Sequence, residues 1–413
     1  MKITEELVRR IQKESLEEYC MLLGISVKQF CNKKYEDGQY LKKICESKSD
    51  KVSSVLSKYL FLPKNPSIKD ILDHDYALSE SYRKGCVEII KAFFKNEFYT
   101  RTLLINIELL KSCAAQLDIE IKSNSWLSQY LNEIPLVVLY SPNVEAYVQK
   151  LPKDYPKIII SNSLINVFEN GIVPVLINQI FKVKKGNSDT LRNFLSSNNS
   201  PSNGLESTAD SIIDMTKYYF DPKTNFIDFI KTKRSEAVSL FGMPFSLGFT
   251  IFTILHEYAH VIYSHFTKKS EVIDEVFADN LAVYLLIEHV RRELNALNPN
   301  SERLMLTNFK VYSFMLLAPL VLMHFFNIAK IITNDINSES HLHPAIREWH
   351  IKNSIWKYFE NKPQFIEILD ESYNLVNGVF EFIYKKLGKK DRGINTQDLA
   401  MTQAIQLPLL YIL

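Results

Sequence analysis

Leu255-His256-Glu257-Tyr258-Ala259-His260-Val261 is the stretch that decides how this chain is read. It spells H-E-x-x-H and follows a run without charged residues, Ala237 to Leu255, so the spacing predicts a buried helix. Two histidines four apart share one helix face, with Cβ atoms roughly 6 Å apart. Their ring nitrogens can then reach one metal ion at ~2.0–2.1 Å. Glu257 follows the first histidine, so its carboxylate can stand beside the metal without taking a ligand position. In a zinc hydrolase that carboxylate accepts a proton from the metal-bound water. Histidine is scarce here, 9 in 413 residues, which makes a chance match uncommon.

Working outward, Glu275-Val276-Phe277-Ala278-Asp279 follows after a short polar turn, Ser264 to Ser270. That turn lets a second helix fold back on the first. Glu275 is then a candidate third ligand, giving a His2Glu set with one open position, the arrangement of catalytic rather than structural zinc sites. Asp279 lies one turn further on the same face and can accept the free ring N–H of a zinc histidine. Apolar Val276, Phe277, Ala278, Leu281 and Ala282 surround these acids, which argues against a solvated acidic face.

Upstream, the uncharged run is nearly long enough to span a bilayer. It holds Gly242, Pro244 and Gly248 and leads straight into the motif, so it reads as a broken, buried approach to the metal helix and no membrane span is expected. Val311 to Phe326 reads as a core helix despite Pro319 and His324.

The fold class expected is mainly α with a small β-sheet, an α+β arrangement. Glycine is scarce, and leucine, isoleucine, lysine and glutamate are frequent. Residues 1–130 read as a helical N-terminal region, with Phe61 to Ile68 as a linker. Leu22 to Gly38 faintly resembles a repressor-type helix-turn-helix without a basic recognition face. Residues 131–413 read as the catalytic domain. Pro135–Tyr140 and Lys157–Ser161 are its strands, and the second is expected at the sheet edge. Ser141-Pro142-Asn143 is a turn, and Ser163 is a plausible helix N-cap. A Ser/Asn/Gly-rich loop is inserted at about 185–207, and helices follow at about 345–360 and 364–388. A formal charge of +2 implies no polyanion partner. Five cysteines, an odd number without C-x-x-C, point to a reducing compartment. The charged start, Met1 to Lys13, lacks an apolar h-region, so a cytoplasmic location is expected.

With H-E-x-x-H and E-x-x-A-D in register, the chain resembles the gluzincin-type zincin metallopeptidases. Ser141 to Ala146 and Ile158 to Leu164, then a helix before the metal helix, look like the upstream strand pair of M48-type peptidases. His343-Pro344 with Arg347 resembles the His-Pro…Arg element of M48-type and phage-exclusion-type peptidases. The resemblance covers about Pro135 to Trp349. It departs from the pattern in a long insertion, roughly 180–235, and in the close spacing of Arg347 to His343-Pro344.

What the resemblance implies is a zincin-like domain acting as a zinc-dependent endopeptidase on a protein or peptide substrate. Zn2+ would sit on His256, His260 and Glu275, with Asp279 behind a histidine. Glu257 would be the general base, and His343 or Arg347 would donate to the developing oxyanion. His343 can equally be a helix-start residue before Pro344. The competing reading is a regulator, with a DNA- or partner-binding N-terminal module controlling the peptidase domain in stress response or phage defence. A metal kept for structure alone would not require Glu257.

Overall fold

Few helix breakers and long apolar periodicities predict helices. The structure, a computed structural model, is mainly helical with one small three-stranded sheet. It describes residues 5–46, 62–95, 115–149 apart from three single positions, 156–182, 205–218, 241–266, 271–297, 302–333 and 343–389. The N-terminal helices are α1 (Glu5–Leu22), α2 (Val27–Glu46), α3 (Ile68–Lys95) and α4 (Trp126–Glu133). The strands β1 (Leu136–Leu139), β2 (Ala146–Gln149) and β3 (Lys157–Ser161) follow. Next come α5 (Asn162–Asn166), a π-helical turn (Val167–Ile172), α6 (Val173–Lys182) and α7 (Leu205–Tyr218). The remaining helices are α8 (Met243–Phe266), α9 (Glu271–Ala296), α10 (Glu302–Thr333), α11 (Pro344–Phe359) and α12 (Pro363–Lys386). The expected inserted loop lies outside the described residues up to position 204, and its last three positions, 205–207, open α7 instead.

One large core joins the second half of α3 to the sheet and to α6–α12. A smaller one gathers Leu16, Tyr19, Cys20, Cys31, Ile71 and Tyr140 where α1, α2 and the start of α3 meet the end of β1. In this smaller core Lys34 donates to both carboxylate oxygens of Asp75, at 2.8 and 2.9 Å, and lies 3.0 Å from the Tyr140 hydroxyl. The Tyr140 hydroxyl also donates to Asp75. The backbone N–H of Tyr140 donates to Ser15 Oγ at 3.2 Å. The N-terminal helices are thus tied to the strand that starts the sheet.

The sheet corrects one expectation. Its order is β1-β3-β2, so β3 is the central strand and not an edge. β1 runs parallel to β3, pairing Leu136 with Ile158, and β2 runs antiparallel to it, pairing Val148 with Ile158. All five residues of β3 are buried, as a strand covered on both sides and both edges requires. The edge strands are β1 and β2, and β2 is a four-residue strand too short to show a period in the sequence. Ser161, not Ser163, caps the following helix: its Oγ accepts from the Leu164 N–H at 3.1 Å. Ser163 Oγ donates instead to the Ser141 carbonyl, fastening the β1–β2 turn.

The approach to the motif is also more regular than expected. Phe241 and Gly242 are π-helical, and α8 runs unbroken from Met243 through both histidines. Pro244 is tolerated because first-turn N–H groups have no intrahelical acceptor. A Cβ at Gly248 would come within 2.5 Å of the Met315 carbonyl oxygen, so only glycine lets α8 approach α10 this closely. α10 continues helical through Pro319. Both α8 and α10 are long and apolar enough to cross a membrane by length and composition, and most of each is buried against other helices.

Candidate metal centre

The i,i+4 spacing on α8 places the His256 and His260 rings perpendicular to each other, with centroids 4.6 Å apart. Their Nε2 atoms are 3.0 Å apart. Phe252, one turn earlier, lies 5.9 Å from the His256 ring, centroid to centroid. Helix α9 folds back along α8 and brings Glu275 to the pair. Its Oε2 is 3.6 Å from His256 Nε2 and its Oε1 is 3.6 Å from His260 Nε2. These ligand-type atoms all lie within 4.8 Å of one another, and among the described residues they form the only such group. His256 and Glu275 are buried, and His260 is partly buried.

Asp279, a turn beyond Glu275, places its Oδ1 3.0 Å from His256 Nδ1. A carboxylate only accepts, so a proton on Nδ1 would face Asp279 and leave the Nε2 lone pair toward His260 and Glu275. Arg347 comes from α11, 68 residues away in sequence. Its Nε and Nη2 donate to the two oxygens of Asp279 at 2.7 and 2.8 Å, and Nη1 lies 3.2 Å from Glu275 Oε2. Burial alone would raise the Asp279 carboxyl, but the Arg347 guanidinium overrides it and holds the group below the usual carboxylate range. Arg347 stays charged: burial opposes the charge, and Asp279 and Glu275 more than offset it.

Glu257 is buried on the same turn of α8. Burial pushes its carboxyl above the usual range, and His256 and His260 pull it part of the way back. His343 is the N-cap of α11, buried, with Nδ1 accepting from the Ala345 N–H at 3.2 Å. The structure therefore brings His256, His260, Glu275, Asp279 and Arg347 into one cluster with Glu257 beside it. His343 sits at the start of the helix that carries Arg347. The guanidinium of Arg347 is turned to the two carboxylates, a placement the sequence did not suggest, because nothing local marks which acid it meets.

The residues fit a metal ion. Each of the three residues offers one ligand atom, these atoms all lie within 4.8 Å of one another, and the two imidazole Nε2 atoms are 3.0 Å apart, near the ~3.3 Å edge of a tetrahedral ion's ligands. Two buried carboxyl groups, Glu275 and Asp279, share one guanidinium, with the buried Glu257 beside them, a surplus of acidic groups that a divalent cation would balance. Comparison of the chain with protein-family models, with curated proteins and with solved structures returns no match.

Proposed function

We propose that the chain is a zinc-dependent endopeptidase with a zincin-like catalytic domain, hydrolysing peptide bonds of a protein substrate. The observation that carries this reading is the convergence of His256, His260 and Glu275 beside a buried Glu257. The two nitrogens and one oxygen suit zinc and leave a ligand position open. When bound, zinc supplies a water of lowered pKa and polarises the scissile carbonyl.

The chain's own residues do the rest. Glu257, its carboxyl raised by burial, takes a proton from the attacking water and returns it to the leaving amine. Asp279 keeps His256 in the tautomer whose Nε2 is free to ligate. Arg347 holds Asp279 and Glu275 in place. His343 is then the candidate donor to the developing oxyanion. Its Nδ1 accepts an N–H, so in the neutral ring the proton is on Nε2, which can donate.

A substrate strand would use the open edge of β2, which packs against α8. Ser161 N donates to the Glu145 carbonyl, so Tyr147 and Gln149 also bond inward to β3. The main-chain groups of Ala146 and Val148 therefore point outward. Buried thiols at Cys20, Cys31 and Cys86 are in keeping with a reducing, cytoplasmic setting.

Glu257→Gln separates metal binding from chemistry. The amide nearly matches the carboxylate in size but accepts no proton at neutral pH. Zinc content and melting should match wild type, while cleavage of a lysate substrate pool should fall ~10²–10⁴-fold. A variant that keeps its zinc and cleaves like wild type would rule out Glu257 as the base.

A further inference from the structure

A second buried polar cluster lies on the far side of α11. Glu348 Oε1 accepts from the Tyr373 hydroxyl of α12 at 3.0 Å and stands 3.5 Å from His324 Nε2 of α10. His324 Nδ1 lies 3.0 Å from the Tyr384 hydroxyl, to which Asn327 Nδ2 donates at 3.1 Å. The His324 ring stacks on Phe380, with centroids 4.4 Å apart and planes 12° apart. His324, Asn327, Glu348 and Tyr384 are all buried. Nothing in the proposed chemistry uses them.

The place of Glu348 on α11 is what matters. Arg347 and Ser354 are seven residues apart, two turns along one helix face. Both meet α9: Arg347 meets Asp279 and Glu275, and Ser354 Oγ donates to Asn280 Oδ1 at 2.8 Å. Glu348 is one residue from Arg347, about 100° around the helix, and is held by the Tyr373 hydroxyl of α12, with His324 of α10 alongside. A helix held by polar contacts on two faces cannot rotate about its axis without breaking one set. Apolar packing alone would tolerate a few degrees of rotation, and the long Arg347 side chain would carry that rotation into the metal cluster.

We propose that Glu348, with His324 and Tyr373, acts as a positioning group for the metal centre, fixing the rotation of α11 and through it the seat of Arg347 against Asp279 and Glu275. The inference rests on the metal-centre reading, and wild-type metal binding tests that reading separately.

The experiment measures zinc affinity by competition with a chromophoric chelator, and the visible absorption spectrum of the cobalt(II)-substituted full-length protein. The variants are Glu348→Ala, Glu348→Gln and Tyr373→Phe. Phe94→Leu serves as a core truncation on α3, and all are studied below their melting temperatures. Glu348→Ala should weaken zinc ~10-fold, the lower end for loss of an outer partner of a metal ligand, and should alter the cobalt spectrum. Glu348→Gln keeps an acceptor for Tyr373 and should restore both towards wild type. Tyr373→Phe removes only the hydroxyl and should weaken zinc ~3-fold, short of the usual outer-partner loss. Phe94→Leu should lower the melting temperature and leave both metal readouts alone. Folded Glu348→Ala with wild-type affinity and spectrum overturns the proposal. Should that variant not fold, unchanged affinity in Tyr373→Phe overturns it. Wild type that binds neither metal defeats the metal-centre reading itself.

Discussion

Lys34–Asp75–Tyr140 in the N-terminal half and His256–His260–Glu275 between α8 and α9 are both gatherings of polar side chains away from water, built on opposite electrostatic plans. In the first, an ammonium donates to both oxygens of one carboxylate and a tyrosine hydroxyl adds a third donor. Donors and acceptors match, and the carboxyl of Asp75 is held below its usual range, because Lys34, with His74 Nδ1 3.1 Å away, outweighs the burial that would raise it. In the second, two imidazole Nε2 atoms 3.0 Å apart and a carboxylate face one another. A His256 proton on Nδ1 would face Asp279 and leave a lone pair on Nε2, Glu275 presents carboxylate oxygens, and the one guanidinium is shared with Asp279. A buried cluster that closes on itself holds a fold together. One whose lone pairs converge needs a cation to complete it.

The sharpest way to break this contrast is to remove one member of each cluster. His260→Ala or Glu275→Ala should weaken zinc binding on the order of 10²–10³-fold, since the ~10–16 kcal/mol of a structural zinc site is shared among its ligands. Equilibrium competition against a chelator reads this directly. Without zinc, His260→Ala should change stability less than Glu275→Ala, which also takes a carboxylate away from the buried Arg347 guanidinium. Lys34→Met should do the reverse. It leaves Asp75 buried without its cation and should lower unfolding free energy by ~3–5 kcal/mol in urea titration, with zinc affinity per folded chain unchanged. A double Lys34→Met, Asp75→Leu variant should recover most of that loss.

Much of the metal cluster was legible in the sequence, because helical spacing alone puts His256 with His260 and Glu275 with Asp279. The strands at Leu136–Leu139 and Lys157–Ser161 were legible as apolar β-branched runs bounded by prolines and polar turns. What was not legible depends on long-range partners. Ala146–Gln149 carries no alternation and becomes a strand only by pairing with β3, so the sheet edge was misplaced. Arg347 finds Asp279 across 68 residues, and Tyr140 finds Asp75 across 65. The regularity of α8 after Gly242 depends on Gly248 meeting α10, which no local pattern states.

Smaller effects sharpen the contrast further. Val148→Pro removes one outward donor from the β2 edge and should reduce peptide cleavage ~10-fold, about the worth of one main-chain hydrogen bond. Zinc content should be untouched, and unchanged cleavage in a folded variant would remove β2 as the substrate edge. The smallest effect expected is in acid. Because the folded carboxyl of Asp75 is depressed, its stabilisation is fully present above the unfolded value near ~3.9 and is lost as pH falls through the folded one. Asp75→Asn should therefore flatten part of the acid limb when urea midpoints are followed below about pH 4. A limb identical to wild type would show that Lys34 does not hold Asp75 charged.

The central claim is that the converging trio is a metal centre. Metal analysis of the purified full-length chain, beside Glu275→Ala and Glu257→Gln, tests it most directly. The account predicts about one zinc per chain in wild type and in Glu257→Gln, and strong depletion in Glu275→Ala. Wild-type protein that carries no divalent metal, and whose melting moves neither with added zinc nor with chelator, would contradict it.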